Sequence, residues 1–301
     1  NRQDELGQLA RSFNHMLAEL AQKQQELKEQ ERVLQELATA RKIQQAMLPT
    51  EPPASGSLNI DFYAESASEV GGDYFDFLPL ENGKMAFAIG DVTGHGVPAA
   101  LLMAMVKSCL HTQVLANHRV ADVMAVANNT VHKSSYDRRL MTFFYSILDI
   151  RTGLLTFANA GHLHPYLYRA STGEVLTLAS SSYPLGVRPN VAYPEQSIQL
   201  EVGDLLVFYS DGIIEAQNPR GEEFGFDRME SLIQELGDGR ANELVHELLK
   251  RWRSYVFEGN VQPTEDDVTV VAVKFVSNEC EEDLVRDQEG LRGQANPQPL
   301  A

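Results

Sequence analysis

The sequence predicts a mixed α+β domain that follows a long N-terminal helix. Residues 1–48 contain no proline and have a composition that favours helix, whereas residues 58–276 alternate between short apolar runs and turn residues. Many short strands with two helical blocks predict sheets covered by helices rather than alternating βαβ units. With 301 residues and 43% hydrophobic side chains, the chain can form a sizeable core.

The N-terminal segment carries a heptad repeat. Alternating steps of three and four residues from Leu6 reach apolar side chains at nine of thirteen positions up to Leu48, and the phase holds through Leu37. So regular a period predicts a parallel, dimeric coiled coil, with a single amphipathic helix packed on its own domain as the alternative. After Leu37 the apolar stripe shifts by one position, which indicates that the helix leaves its partner there. Pro49 ends the helix.

The rest of the chain divides into short elements separated by turn residues. Asn82-Gly83 between two apolar runs predicts a tight hairpin, and Pro98 suits the first turn of a helix. In chain order we predict strands at 58–64, 74–80, 85–89, 141–150, 154–159, 165–169, 175–178, 197–200, 205–209 and 268–275, and helices at 98–115, 120–131, 228–236 and 241–255.

The charge balance excludes two classes of partner. Lys and Arg number 25 and Asp and Glu number 42, which gives a net charge of −17. Phosphate backbones and anionic membrane surfaces need a basic face, so we expect neither as a direct partner. The excess of carboxylates suits a protein that collects metal cations or meets a basic partner, although many soluble proteins are simply acidic.

Cysteine content and the chain start set further limits. Cys109 and Cys280 are the only two cysteines, which excludes a disulfide scaffold and a Cys-rich zinc site. No run approaches about 18 consecutive apolar residues, so we expect no membrane span. The sequence begins with Asn1 and has neither an initiator methionine nor a signal peptide, so we expect a fragment of a longer protein.

Aspartates fall at the ends of the apolar strands, mostly beside glycine. Asp73 precedes one strand, Asp91 and Asp211 follow two others, and Asp266-Asp267 precede the last. Converging carboxylates repel each other unless a cation lies between them, and oxygen ligands without cysteine suit Mg²⁺ or Mn²⁺. The pattern predicts a metal site of unspecified use, although each Asp-Gly alone is more typical of an ordinary turn.

Five motifs occur in order along residues 58–276. They are Gly71-Gly72-Asp73-Tyr74-Phe75-Asp76, Gly90-Asp91-Val92-Thr93-Gly94-His95-Gly96-Val97-Pro98-Ala99-Ala100, Asn159-Ala160-Gly161-His162, Tyr209-Ser210-Asp211-Gly212 and Asp266-Asp267-Val268-Thr269-Val270-Val271. Together they resemble the SpoIIE/RsbU-like branch of the PPM (protein phosphatase 2C-like) serine/threonine phosphatases, with a closer resemblance to the SiaA type. The resemblance implies an αββα four-layer sandwich with two Mn²⁺ or Mg²⁺ ions at one end. Such a pair can lower the pKa of a shared water and hold a phosphoryl group for in-line attack.

The resemblance also implies roles by position. Asp91 bridges both metals as the central catalytic residue, and the carbonyl of Val92 binds one of them. Asp73 binds the second metal, while Asp211 and Asp266 bind the first. The motif register leaves open whether this last ligand is Asp266 or the residue after it.

Four further residues depart from the better-known eukaryotic pattern or keep two interpretations. That branch has a histidine, proposed as general acid, two residues after the bridging aspartate, where this chain has Thr93. His95 is interpreted as a loop histidine that bonds the backbone and is not assigned proton donation. Asn159 and His162 share one motif, in which the histidine either lines the site or ties strand ends together. No arginine occupies the position expected for phosphate capture, so the metals are expected to bind phosphate largely alone.

The N-terminus carries a second resemblance. Asp4-Glu5-Leu6-Gly7-Gln8-Leu9, followed by Phe13-Asn14-His15-Met16, resembles the end of the second helix of a HAMP domain. Such domains follow a transmembrane helix and signal through a parallel dimer, which implies the cytoplasmic portion of a bacterial inner-membrane protein. The expected division is 1–20 as the end of the HAMP helix, 21–48 as a coiled-coil signalling helix, 49–57 as a linker, 58–276 as the phosphatase domain and 277–301 as a disordered acidic tail.

The expected function is that of a metal-dependent protein serine/threonine phosphatase. Its expected substrate is a phosphorylated partner-switching regulator, such as a STAS-like anti-sigma-factor antagonist, and its expected control is dimeric signalling from a membrane sensor. A catalytically inactive module that binds a phosphoprotein is the first alternative. A hydrolase of small phosphoesters is the second, and the chain has no Walker-type phosphate loop in its support.

Overall fold

The chain divides into two compact units, Asn1–Gln45 and Ala46–Ala301. This computed structural model describes residues 5–67, 70–116, 119–134, 138–257, 264 and 266–277. The predicted tail at 277–301 therefore lies outside the described residues, apart from Ser277.

The first unit contains one uninterrupted helix, α1, Glu5–Gln45. It ends three residues earlier than predicted, in a turn that precedes Pro49. Several large apolar side chains of the predicted heptad seam are exposed on the single chain: Leu9, Phe13, Met16, Leu20, Leu27 and Leu34.

The second unit contains every strand and helix predicted from the sequence, with bounds that differ by a few residues. In chain order the elements are β1 Leu58–Glu65, β2 Tyr74–Leu80, β3 Lys84–Val92, α2 Val97–Ala116, α3 Val120–Ser134, β4 Met141–Asp149, β5 Leu154–Ala160, β6 Tyr166–Arg169, β7 Glu174–Thr177, β8 Gln196–Gln199, β9 Leu205–Tyr209, α4 Asp211–Ile214, α5 Gly225–Leu236, α6 Ala241–Phe257 and β10 Val268–Phe275.

The strands form two antiparallel sheets. One has the order β2-β3-β4-β5-β8 and the other the order β1-β10-β9-β6-β7. The turn between β2 and β3 confirms the predicted hairpin, because Asn82 and Gly83 both have positive φ, 62° and 69°. Since Leu80 pairs with Lys84, the connection has three residues, and the last two of them are left-handed.

The inner faces of the two sheets pack against each other through aromatic side chains. Phe87 of β3 stacks on Phe208 of β9 with ring centroids 5.9 Å apart, and Phe144 of β4 lies 5.8 Å from the same ring. Aliphatic side chains of both sheets fill the rest of this layer, as in other face-to-face sheet packings.

Helices cover both outer faces. α2 and α3 pack on each other and on the first sheet, while α5 and α6 pack on the second sheet. The order helix–sheet–sheet–helix confirms the predicted αββα sandwich. α2 is long and apolar enough to span a membrane by length and composition alone. Its buried residues belong to the hydrophobic core: Ala99, Leu102, Met103, Val106, Leu110 and Val114.

A buried carboxylate anchors α2 to β2. Asp76 is only 4% exposed, and its Oδ2 accepts hydrogen bonds from Nζ of Lys107 at 2.5 Å and from the hydroxyl of Tyr74 at 2.9 Å. Nε2 of His111 lies 2.7 Å from the same oxygen. Since β2 begins directly after one predicted metal ligand and α2 follows the loop after another, this network ties together two segments that lead to the predicted site.

Two predicted ligands lie inside elements rather than after them. Asp91 was expected beyond the end of a strand, but β3 continues through Val92 because both residues pair with β4. Asp211 was expected at the end of β9, but it begins the short helix α4, which the sequence did not predict. A helix of four residues is too short to give a recognisable period.

Candidate metal centre and active site

The predicted ligands lie at one end of the sandwich because of the antiparallel register. The start of β2 pairs with the end of β3 at Tyr74 and Gly90, and the start of β10 pairs with the end of β9 at Val270 and Tyr209. Each sheet therefore contributes two segments with acidic residues at the same end.

Asp267 ties the two sheets together at this end. Its carboxylate accepts hydrogen bonds from the backbone N–H groups of Gly72 at 2.6 Å, Ala67 at 2.9 Å and Asp73 at 3.3 Å. In the same place, the hydroxyl of Thr269 donates to Oδ2 of Asp73 at 2.6 Å. Both oxygens of the buried Asp267 are thus occupied in holding the loop that carries Asp73.

Asp266 has a different environment from its neighbour. It is exposed, and its Oδ1 accepts one hydrogen bond, from the backbone N–H of Asp267 at 2.8 Å. Its charge also raises the pKa of both Asp91 and Asp211, so it lies near these two carboxylates. Of the pair, Asp266 has the carboxylate that remains available to an ion.

An oxygen of Asp91 and the carbonyl oxygen of Val92 both face Gly72. A Cβ atom placed on Gly72 would lie 2.8 Å from Oδ1 of Asp91 and 2.8 Å from the carbonyl oxygen of Val92. The backbone N–H of Val92 also donates to the carbonyl of Gly72 at 3.3 Å. Only glycine fits between the two segments, and its lack of a side chain leaves both predicted ligand atoms accessible.

Burial and mutual repulsion raise the pKa values of these acids. Burial, followed by the charges of Asp211 and Asp266, raises the pKa of Asp91 to about 7. Burial and the neighbouring charge of Asp91 hold the pKa of Asp73 well above its ordinary range. Burial and Asp266 also raise the pKa of Asp211. Ionised carboxylates that repel one another are stabilised by a cation placed between them.

The donor chemistry fits Mg²⁺ or Mn²⁺, because the predicted set consists of carboxylates and one carbonyl. Within the described residues, however, no three acidic, histidine or cysteine side chains already form a closed metal-binding group. The carboxylates are therefore close enough to raise one another's pKa values, but they do not form a closed metal-binding group.

Asp211 is held in place through Ser210. The hydroxyl of Ser210 donates to the carbonyl of Asp267 at 3.2 Å and accepts from the backbone N–H of Thr269 at 2.8 Å. Gly212 lies so close to the backbone of Asp267 that a side chain would collide with it. The end of β9 is therefore fixed against the start of β10, which sets the position of Asp211.

Thr93 and His95 differ in the hydrogen bonds that their side chains make. The hydroxyl of Thr93 donates to the carbonyl of Leu140 at 3.2 Å and accepts from its N–H at 3.0 Å. This side chain is thus used in binding the start of β4. His95 is exposed, and its ring makes no hydrogen bond to any residue that the structure describes. The expected hydrogen bond of His95 to the backbone is not formed with any residue that the structure describes.

His162 and Asn159 tie strand ends together. Asn159 accepts from the backbone N–H of His162 at 2.7 Å and donates to its carbonyl at 2.9 Å. Nδ1 of His162 lies 2.9 Å from the hydroxyl of Thr142, and that hydroxyl in turn accepts from the backbone N–H of Asp91 at 3.3 Å. Burial lowers the pKa of His162 to about 4, so this ring is neutral at pH 7. Of the two interpretations, the structure favours the structural one.

Sequence reasoning missed two residues that support the site, Thr142 and Arg139. Thr142 bridges His162 and the backbone of Asp91, and Arg139 donates to the carbonyl of Thr93 at 2.7 Å. Neither lies in a motif that carries an acidic ligand, and their contacts depend on the pairing of β3 with β4. The one available signal was the proximity of both residues to the start of a predicted strand.

Comparison with known proteins identifies the family. The family model described as stage II sporulation protein E (SpoIIE) matches residues 81–276. The chain belongs to the SpoIIE family. The resemblance to the SpoIIE/RsbU-like PPM phosphatases is thereby confirmed, and the family match includes four of the five motifs in full and all but one of the predicted ligands.

Two curated relatives and one solved structure illustrate the similarity. Protein IcfG of Synechocystis is 30% identical over 91% of this chain and 46% of its own length. The phosphoserine phosphatase RsbU of Bacillus subtilis is 28% identical over 72% of this chain and 64% of its own length. The SiaA-PP2C domain of Pseudomonas aeruginosa has the same fold, with a TM-score of 0.71, 22% identity and coverage of 82% of this chain and 98% of that domain. The chain thus spans about half to two thirds of the length of these curated relatives.

The raised pKa of Asp91 predicts a pH-dependent stability in the metal-free protein. The folded protein holds the proton of this carboxyl up to about pH 7, whereas the ordinary value is 3.8, so the free energy of unfolding falls as pH rises between these values. Asp91→Asn has no ionisable group at this position, so it does not lose stability in this way. In chelator, urea unfolding should show the variant more stable at pH 8, by on the order of 2–4 kcal/mol, with the difference shrinking toward zero at pH 4. Asp227→Asn, exposed on α5, is the control. A difference that stayed constant across this range would contradict the environment described for Asp91.

Removal of the carboxylate should lower the free energy of unfolding at Asp267 but not at the neighbouring Asp266. Asp267→Ala leaves three backbone N–H groups without their acceptor, so the free energy of unfolding should fall by at least about 2 kcal/mol. Asp266→Ala removes an exposed, repelling charge and should not lower it. Urea unfolding in chelator checks both variants, and equal destabilisation would show that the structural roles assigned to the two residues are wrong.

Proposed function

We propose that this chain is a metal-dependent phosphatase that hydrolyses phosphoserine or phosphothreonine in a partner protein. The observation that carries the proposal is the gathering of carboxylates from both sheets at one end of the sandwich, where burial and their mutual repulsion raise the pKa of Asp91 to about 7. Membership of the SpoIIE family and similarity to a protein named a phosphoserine phosphatase support the same activity.

The metal ligands in this proposal are those implied by the motifs. Asp91, the carbonyl of Val92, Asp73, Asp211 and Asp266 would together hold two Mn²⁺ or Mg²⁺ ions. When bound, the ions supply positive charge for the phosphoryl oxygens and lower the pKa of a water for attack on phosphorus. The exposed carboxylate of Asp266, next to the occupied carboxylate of Asp267, supports Asp266 as the ligand.

The remaining residues of the site position these ligands. Asp267 and Thr269 orient Asp73, Thr142 orients Asp91, and Gly72 leaves the cleft open to the phosphate group. The hydroxyl of Thr93 is bound to the start of β4, so no proton transfer to the leaving group is assigned to it. Catalysis in this proposal depends on charge and orientation rather than on a dedicated acid.

The proposed substrate is a phosphorylated partner-switching regulator, such as a STAS-like anti-sigma-factor antagonist. The predicted ligands lie at strand ends and in the adjoining loops at one end of the sandwich, a position that suits a phosphorylated side chain presented on a protein surface. Similarity to RsbU and RsbP of Bacillus subtilis, both named phosphoserine phosphatases, supports a phosphoserine-containing protein as the substrate class.

Regulation is proposed to act through α1. Exposed apolar side chains recur along this helix at heptad spacing, including Leu20, Leu27 and Leu34. A second copy of the chain covers such a stripe in a parallel coiled coil. With the HAMP-like start, this supports a homodimer on the cytoplasmic side of a bacterial inner-membrane sensor, in which rearrangement of the coiled coil switches the activity.

A catalytically inactive phosphoprotein-binding module is the second candidate. The observation in its favour is that no three of the described side chains form a closed metal-binding group. Metal binding and turnover separate the two candidates.

Hydrolysis of p-nitrophenyl phosphate and of a phosphoserine peptide by the full chain tests the activity. We expect both reactions to need Mn²⁺ or Mg²⁺ and to stop in chelator. Asp91→Asn and Asp211→Asn each remove the charge of a metal ligand. Each variant should therefore lose more activity than the roughly 10- to 100-fold reduction caused by changing a residue that only orients a ligand. Asp227→Asn is the matched exposed control. Metal-independent turnover, or full activity in either ligand variant, would reject the two-metal phosphatase, and metal binding without turnover of either substrate would favour the binding module.

Leu27→Pro tests the proposed role of α1. A proline in the middle of the helix removes a backbone hydrogen bond and breaks the heptad seam, at a cost of about 3 kcal/mol or more. We expect the variant to lose dimerisation, measured by analytical ultracentrifugation, and to change its turnover of the phosphoserine peptide. Leu27→Ile keeps the seam apolar and is the control. Unchanged dimerisation and unchanged turnover in Leu27→Pro would remove the coiled coil from the account.

A further inference from the structure

The loop that follows Asp91 is bound from outside the carboxylate cleft by the first residues before β4. The backbone N–H of Thr93 donates to the carbonyl of Leu140 at 2.9 Å, and the N–H of Leu140 donates to the hydroxyl of Thr93 at 3.0 Å. The same hydroxyl donates to the carbonyl of Leu140 at 3.2 Å. Thr93 is therefore fixed to the neighbouring segment through both its backbone and its side chain.

Arg139 completes this attachment. Its Nη1 donates to the carbonyl of Thr93 at 2.7 Å. Gly94 has a φ of 82°, in the left-handed region, and the space that a Cβ would need there is filled by Nη1 of Arg139. The guanidinium thus lies directly against the loop, and the side chain is partly buried. We call the contacts of Thr93 with Arg139 and Leu140 the Thr93 clamp.

The clamp determines the direction of the Val92 carbonyl. A peptide unit is planar and trans, so the carbonyl of Val92 points opposite to the N–H of Thr93. Because that N–H points at Leu140, the carbonyl points away from β4 and toward Gly72, where its oxygen would lie 2.8 Å from a Cβ. Arg139 fixes the next peptide unit by binding its carbonyl. Two consecutive peptide planes are therefore held by residues that do not belong to the predicted ligand set.

We propose that Arg139 is a positioning residue for the metal centre. It holds the Thr93–Gly94 peptide unit, and through it the carbonyl of Val92 and the end of β3 that carries Asp91, in the orientation that a divalent cation needs. The inference rests on the proposed function for the identity of the ion. Arg139 does not touch the ion or the substrate in this account, so its loss lowers metal affinity and leaves the turnover of the metal-saturated protein close to that of the unsubstituted chain.

Calorimetric titration of the full chain with Mn²⁺ tests the proposal directly. Arg139→Ala should weaken Mn²⁺ binding by about 10- to 100-fold, the usual effect of removing a group that orients a metal ligand. Arg139→Lys keeps one charged donor and should recover part of the affinity. Arg138→Ala, an exposed arginine beside it, is the matched control and should bind Mn²⁺ like the unsubstituted chain.

Turnover of p-nitrophenyl phosphate provides the second readout. In Arg139→Ala the Mn²⁺ concentration for half-maximal activity should rise in parallel with the dissociation constant, while kcat and the KM for p-nitrophenyl phosphate at saturating Mn²⁺ should stay within a few-fold of their original values. Thr93→Val keeps the shape of the side chain and removes its hydroxyl, so it should also weaken Mn²⁺ binding. If Arg139→Ala does not fold, the Mn²⁺ affinity of Thr93→Val tests the proposal instead.

Two results would overturn the proposal. One is unchanged Mn²⁺ affinity in folded Arg139→Ala, or in Thr93→Val where the first variant does not fold, which would make the clamp purely structural. The other is a raised KM for p-nitrophenyl phosphate that persists at saturating Mn²⁺, which would make Arg139 a phosphate-binding residue. Failure of the proposed function has a different signature, namely an unsubstituted chain that binds Mn²⁺ and hydrolyses neither substrate. In that case, comparing the Mn²⁺ affinities of the unsubstituted chain and the variants by calorimetry would still test the role of the Thr93 clamp.

Discussion

Electrostatic repulsion among buried carboxylates is the constraint on which the rest of this structure depends. Asp73, Asp91 and Asp211 lie at one end of the sandwich with raised pKa values, because each is partly buried and close to another acid. A chain with no need to bring them together would gain stability by placing neutral residues there. The surrounding structure therefore has to hold these groups against their mutual repulsion.

The fold meets this constraint with hydrogen bonds to the segments between the ligands. Asp267 accepts three backbone N–H groups of the loop before β2, Ser210 joins the end of β9 to the start of β10, and Thr142 binds the backbone of Asp91. Arg139 adds a cation that binds a carbonyl of the next loop. None of these groups needs to touch an ion, yet together they fix where the ligand oxygens lie.

Much of the fold was predictable because its signals are local. Alternating apolar residues gave the strands, and Asn82-Gly83 gave the hairpin through two left-handed residues. The candidate ligands were found because acidic residues beside glycine stood at strand ends. The difference between Asp266 and Asp267 was not predictable, because it depends on hydrogen bonds to residues about 195 positions away in the sequence, such as the one to Gly72. The burial that keeps the His162 ring neutral and the contacts of Arg139 likewise depend on strand pairing, which no local sequence pattern reveals.

Calorimetry of Mn²⁺ binding, repeated in buffers that differ in ionisation enthalpy, tests the central claim most directly. If burial and repulsion keep protons on these carboxyl groups, two ions should bind to each chain near pH 6.5 with release of protons, and the release should decline as pH rises above the pKa of about 7 for Asp91. Binding without proton release at pH 6.5, or no binding at all, would contradict the account of an acidic cleft that is stabilised by divalent cations.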